Sequence, residues 1–129
     1  AVGLESGRAF VHLRYSYSYG IVGRLAMKTY LATSGSDKVG FTVIGDSNDP
    51  GPRFIGGVRG AIERNTVRYY LALDAYLGAL AAPAPARFEQ SLGRWFNATE
   101  LYPRQLREID RDTYFAMKRS EYLRQQTAQ

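Results

Sequence analysis

Two stretches dense in residues that break regular structure, 45–52 (GDSNDPGP) and 81–86 (AAPAPA), most constrain what this chain can fold into. Proline lacks a backbone donor and clashes inside a helix, while Gly, Asn, Asp and Ser supply the conformations that turns need. Regular elements must end at these stretches. On either side of the first, 38–44 (KVGFTVI) and Arg53-Phe54-Ile55 are β-branched and aromatic, so 38–58 is expected to form a β-hairpin with a long loop. After Gly56-Gly57 and Gly60 the pattern becomes helical from Glu63. Tyr70, Leu73, Leu77 and Leu80 recur at three- and four-residue spacing, and Ala72, Ala75 and Ala79 form an adjacent small-residue face suited to a close helix neighbour. Segment 81–86 reads as a short rigid connector inside one domain, because the sequences flanking it resemble each other in composition.

Beyond the connector, Phe88, Leu92, Trp95 and Phe96 fit a short amphipathic helix. A last helix is expected from about Tyr102 to Arg124, capped by Asn97 or Thr99, with Pro103 in its first turn. Leu106, Ile109, Thr113, Ala116, Met117 and Leu123 are its expected inward face. Near the N-terminus, Phe10 to Val22 fits two templates. Val11, Leu13, Tyr15, Tyr17, Tyr19 and Ile21 alternate as a strand does, yet the same residues form two helical stripes that run on into LAMKTYLATSG. A strand followed by a helix is preferred over one long helix, with Ser34-Gly35-Ser36 ending the helix. The expected fold is therefore α+β: a helix-rich single domain over residues 1–129, with one early β-hairpin at about 38–58 and three C-terminal helices.

The balance of side chains points to binding more than to catalysis. Fourteen arginines stand against three lysines, beside ten tyrosines, and Arg and Tyr are enriched in interface hot spots where Lys is depleted. A net charge of +5 favours encounters with nucleic acid, anionic headgroups or an acidic protein, and selects none of them. With no cysteine, disulfides and thiolate metal ligands are excluded, and the redox compartment is left open between cytoplasm and periplasm. No apolar run reaches the roughly 18 residues of a membrane span. The first residue, Ala1, leans slightly toward a processed exported protein or a fragment.

Chemistry has few footholds. His12 is the single histidine, so no metal site and no cofactor are expected. No Ser/His/Asp constellation can be assembled, and Glu108, Asp110 and Asp112, interspersed with Arg107 and Arg111, have the pattern of a solvated helix face. The glycine run 56–60 between a strand and a helix is a candidate anion site formed by Gly57, Arg59 and Arg64, with Asp74 as a possible pocket residue. Its spacing matches no phosphate-loop signature, and a tight exit from the hairpin is the simpler role. Asp74 is expected either to pair with Arg14, Arg24 or Lys28, or to face a Tyr-lined cavity. On the last helix, Arg107, Arg111, Tyr114, Phe115, Lys118 and Tyr122 form an expected docking surface. Arg14 and Arg24 around Tyr15, Tyr17 and Tyr19 offer a stacking platform for single-stranded nucleic acid, or simply part of the core. Asn97-Ala98-Thr99 matches a glycosylation sequon, a short pattern common by chance. These readings favour a non-catalytic protein–protein interaction or accessory domain, with a protein partner or self-association. Single-stranded nucleic-acid binding and a small anionic-ligand pocket near 56–60 are the alternatives.

Overall fold

A computed structural model describes residues 2–3, 9–14, 16, 20–33, 35–45 and 51–127. Along the chain, β1 (Val2–Gly3) pairs antiparallel with β2 (Ala9–Phe10), followed by helix α1 (Ile21–Ala32). Strands β3 (Val43–Ile44) and β4 (Arg53–Phe54) then form an antiparallel hairpin. The rest is helical: α2 (Gly57–Ala79), α3 (Ala84–Glu100), the single turn α4 (Pro103–Leu106) and α5 (Arg111–Thr127). The helix-rich α+β class expected from the sequence is what forms. The β1–β2 pairing was not legible in the sequence, since it uses two residues from each strand. Neither expected form of Phe10 to Val22 is present among the described residues: β2 ends at Phe10, Val11 to Arg14, Ser16 and Gly20 are in neither strand nor helix, and α1 already begins at Ile21. Tyr15, Tyr17 and Tyr19 lie outside the described residues.

Glycine governs how the hairpin meets α2. The helix starts at Gly57, inside the glycine run, so 56–60 is its first turn and not a loop ahead of it. Glycine costs about 1 kcal/mol per position in a helix interior, and tertiary packing overrides that cost here. A Cβ on Gly60 would lie 2.8 Å from the Ile55 carbonyl oxygen and 3.0 Å from the Gly40 nitrogen, and one on Gly40 would lie 2.8 Å from the Gly60 Cα. Two glycines thus let hairpin backbone lie directly on helix backbone. Gly57 starts the helix at φ +60°, a conformation that favours a residue without Cβ. Next to this contact, Gly40 N donates to Ile55 O at 2.6 Å and Ile55 N donates to Thr42 O at 2.8 Å, extending the hairpin past its two-residue ladder.

Helices α2 and α3 form the principal helix pair. Two of the three alanines of the small-residue face of α2 take the close neighbour: Ala75 and Ala79 are buried, as are Leu92 and Phe96 of α3, while Ala72 is exposed. The turn between them is shorter than 81–86, because α3 begins at Ala84 with a proline in its first turn, where its missing N–H is no loss. Arg87 Nε donates to Ala82 O at 2.9 Å across this turn. The core cluster consists of Leu92, Phe96 and Phe115, flanked by Phe88, Trp95 and Tyr114.

The last expected helix is in fact two, separated by residues 107–110. Its cap is neither Asn97 nor Thr99, both of which lie within α3. Asp110 starts α5: its Oδ1 accepts from Thr113 N at 2.9 Å and its Oδ2 from Thr113 Oγ1 at 2.7 Å. The interruption resets the helical phase. Leu106 is buried as expected, but Ile109, Met117 and Leu123 are exposed, while Phe115 is buried.

Candidate interaction surface

The four residues of the expected anion site do not converge. Arg59 Nε donates to Glu63 Oε1 at 3.3 Å, one helical turn on. Arg64 points to the other side of α2 with 1% of its surface exposed, donating from Nη1 to Val39 O at 3.3 Å and from Nη2 to the Tyr30 hydroxyl at 3.1 Å. It therefore ties α1, the hairpin's approach and α2 together. Gly57 and Asp74 are roughly 25 Å apart along the helix at about 1.5 Å per residue. Asp74 is exposed, and among the described residues Arg14, Arg24 and Lys28 make no ion pair with it.

Glu63, which no sequence pattern singled out, is the carboxylate that organises this end of the molecule. Its Oε2 accepts from the backbone N–H groups of Phe41 and Thr42 at 2.8 and 2.9 Å, and its Oε1 accepts from the Thr42 hydroxyl at 2.7 Å. Burial pushes its pKa up, but the hydrogen bonds from Thr42, Phe41 and Arg59 outweigh that and hold it below the ordinary carboxylate value. The donors of the hairpin and Arg59 are thus met by the chain's own anion.

The expected docking residues of the last helix are in large part engaged within the molecule. Phe115 is buried, and Tyr114 is half-buried and stacked on Trp95, with ring centroids 4.9 Å apart. Arg111 lies over the Phe115 ring at 4.6 Å and donates from Nη1 to Asn97 Oδ1 at 2.8 Å. Arg107 pairs with Glu100, Lys118 with Glu121 at 2.8 Å, and Arg119 with Glu89 at 2.7 Å. Tyr122 stacks on Phe88 at 4.2 Å. Burial, with a smaller push from the negative charge of Glu121, raises the Tyr114 hydroxyl to about 12. The sequon is in α3, with Asn97 held by Arg111 and Thr99 buried.

The open surface is on α2 instead. Tyr70 (59% exposed), Tyr76 (57%), Leu77 (47%) and Leu80 (41%) form an exposed run with half-buried Leu73 among them, and Tyr69 (57%) stands at its edge, where it also lines a cavity shared with α3. Their spacing, 69-73-76-80 and 70-73-77-80, is that of one broad helical stripe. Tyr70, Leu73, Asp74 and Leu77 line a groove of about 400 Å³ whose other wall includes Val11 and Leu13. A second cavity, of about 460 Å³, opens between α2, α3 and α5, lined by residues that include Asn65, Arg68, Tyr69, Phe88, Ser91, Trp95 and Tyr114.

Among the described residues no group of three His, Cys, Asp or Glu side chains gathers as metal ligands, and no helix is long and apolar enough to cross a membrane. Compared with known proteins, the chain matches no family model, no curated protein sequence and no solved structure.

Proposed function

We propose that the chain is a non-catalytic protein–protein interaction module, an accessory part of a larger assembly, and that the outward stripe of α2 is its docking face. The observation that carries this reading is the run of exposed Tyr and Leu side chains at 70, 76, 77 and 80. Water-exposed apolar stripes of this kind are costly to leave open, and Tyr and Leu at helical spacing are the anchors by which helices dock. Arginine, the other half of the compositional signal, contributes less: Arg59, Arg68, Arg107 and Arg119 each pair with a glutamate. That pairing also weakens the nucleic-acid alternative, which needs unneutralised cations.

Light scattering across a concentration series, at low and high salt, tests the reading. The expected result is a mass that rises with concentration at both salts and returns to the monomer value in Leu77→Glu. A monomer throughout, whose affinity for a single-stranded oligonucleotide falls steeply with salt, would replace this reading with nucleic-acid binding.

A further inference from the structure

We propose that the cavity between α2, α3 and α5 is a binding site for a small apolar carboxylate that carries a planar ring. Its volume, about 460 Å³, lies within the span of small-molecule pockets, roughly 300–1,000 Å³. The walls are flat rings. Trp95 and Tyr114 stack at an interplanar angle of 19°, with Phe88 beside them on α3. Such walls favour a flat guest through offset stacking.

The polar groups of the lining set the sign of the ligand. The polar side chains are those of Asn65, Ser91, Tyr69, Tyr114 and Arg68, so the only charge among them is positive. A cationic guest is disfavoured by Arg68 and by Lys118, whose ammonium already lies 5.8 Å from the centre of the Tyr114 ring. Arg68 is largely covered and held in place, donating from Nη1 to Asn65 Oδ1 at 3.4 Å and from Nη2 to Glu108 Oε1 at 2.5 Å, while Trp95 Nε1 donates to its backbone oxygen at 3.3 Å. A guanidinium carries five donors, and a fixed one is suited to a carboxylate.

Glu108 shows where that carboxylate goes. It sits on the segment 107–110 that belongs to no helix, with 55% of its side chain exposed. It lines a smaller hollow of about 90 Å³ that shares Arg68, Trp95 and Tyr114 with the main cavity. The guanidinium therefore stands between the cavity and Glu108. The side chain of Glu108 is the chain's own stand-in for the ligand's anionic group, and an exposed ion pair of this kind is easily exchanged. The cavity shares only Tyr69, at the edge of the stripe, with the docking face, and Leu77, on which the test of that face rests, is not among its lining residues.

Titration calorimetry with 2-naphthoate and its uncharged isostere 2-naphthamide tests the proposal on the whole chain. The expected result is binding of the carboxylate with a preference of about tenfold or more over the amide, as a charge-assisted contact supplies. Arg68→Gln should erase the preference without loss of the helical circular-dichroism signal. Glu108→Gln, which removes the internal competitor, should tighten 2-naphthoate several-fold and leave the amide unchanged, and Ala72→Phe, which fills the cavity wall, should weaken both. Absence of binding at millimolar 2-naphthoate, equal affinity for the two compounds, a preference that survives Arg68→Gln, or weaker carboxylate binding in Glu108→Gln would each overturn it.

Discussion

Glu63 shows how one side chain can take over the role that a motif suggested for others. The glycine run and Arg59 marked this end of α2 as a place for an anion, and the anion that fills it comes from the next turn of the same helix, received by two backbone N–H groups and a hydroxyl of the hairpin. Because its folded pKa is held below the ordinary 4.5, its contribution to stability is fully present above that value and is lost as pH falls through the folded pKa. Urea midpoints measured from pH 7 to pH 3 should hold steady down to about pH 5 and then decline. Glu63→Gln should cost about 1–2 kcal/mol at pH 7, the usual worth of hydrogen bonds to a charged group, and should make the acid decline shallower. Arg64 is the second such residue. It was assigned to a ligand by its neighbourhood in sequence, but its burial against Tyr30 and Val39 makes it a strut between α1 and α2. Arg64→Ala should destabilise by about 2–4 kcal/mol through lost packing and orphaned acceptors, a cost read from the same unfolding curves.

At the scale of elements, the boundaries rest on local chemistry that differs from one to the next. The start of α2 depends on two backbones touching at Gly40 and Gly60. Gly60→Ala should therefore destabilise by about 1–3 kcal/mol, whereas the same change in an ordinary exposed helix position would stabilise by about 1 kcal/mol. The sign of that change, taken from thermal unfolding, separates a packing glycine from a merely flexible one. The start of α5 depends on Asp110, and Asp110→Ala should lower helicity near residues 111–114, as amide exchange would report. Both boundaries were partly legible. The glycines and the acidic run were visible in the sequence, but whether 56–60 was loop or helix depended on backbone contact with the hairpin, at Ile55 and at the distant Gly40. Segment 107–110 contains no proline or glycine to announce a break. A four-residue interruption was enough to turn Ile109, Met117 and Leu123 outward and Phe115 inward, exchanging the faces that a continuous helix from Tyr102 to Arg124 would have had.

For the whole molecule the decisive fact is which side of α2 is covered. Helix α3 packs on the alanine side, leaving the tyrosine and leucine side open. Substitution of exposed Leu77 by Glu should thus change the unfolding midpoint little, within about 0.5 kcal/mol, while abolishing any association that uses this face. A loss of stability comparable to a core substitution would mean that the face is covered within the chain. By itself the sequence determined the helix-rich α+β class, the hairpin around 45–52 and the helix break near 81–86, because breaker residues and hydrophobic periodicity act locally and need no partner. It also supplied both apolar faces of α2. The choice between them belonged to tertiary structure alone: alanines permit the closer helix approach and bulky side chains hold a neighbour off, so α3 and its aromatic core settled on the small-residue face and left the larger one to solvent.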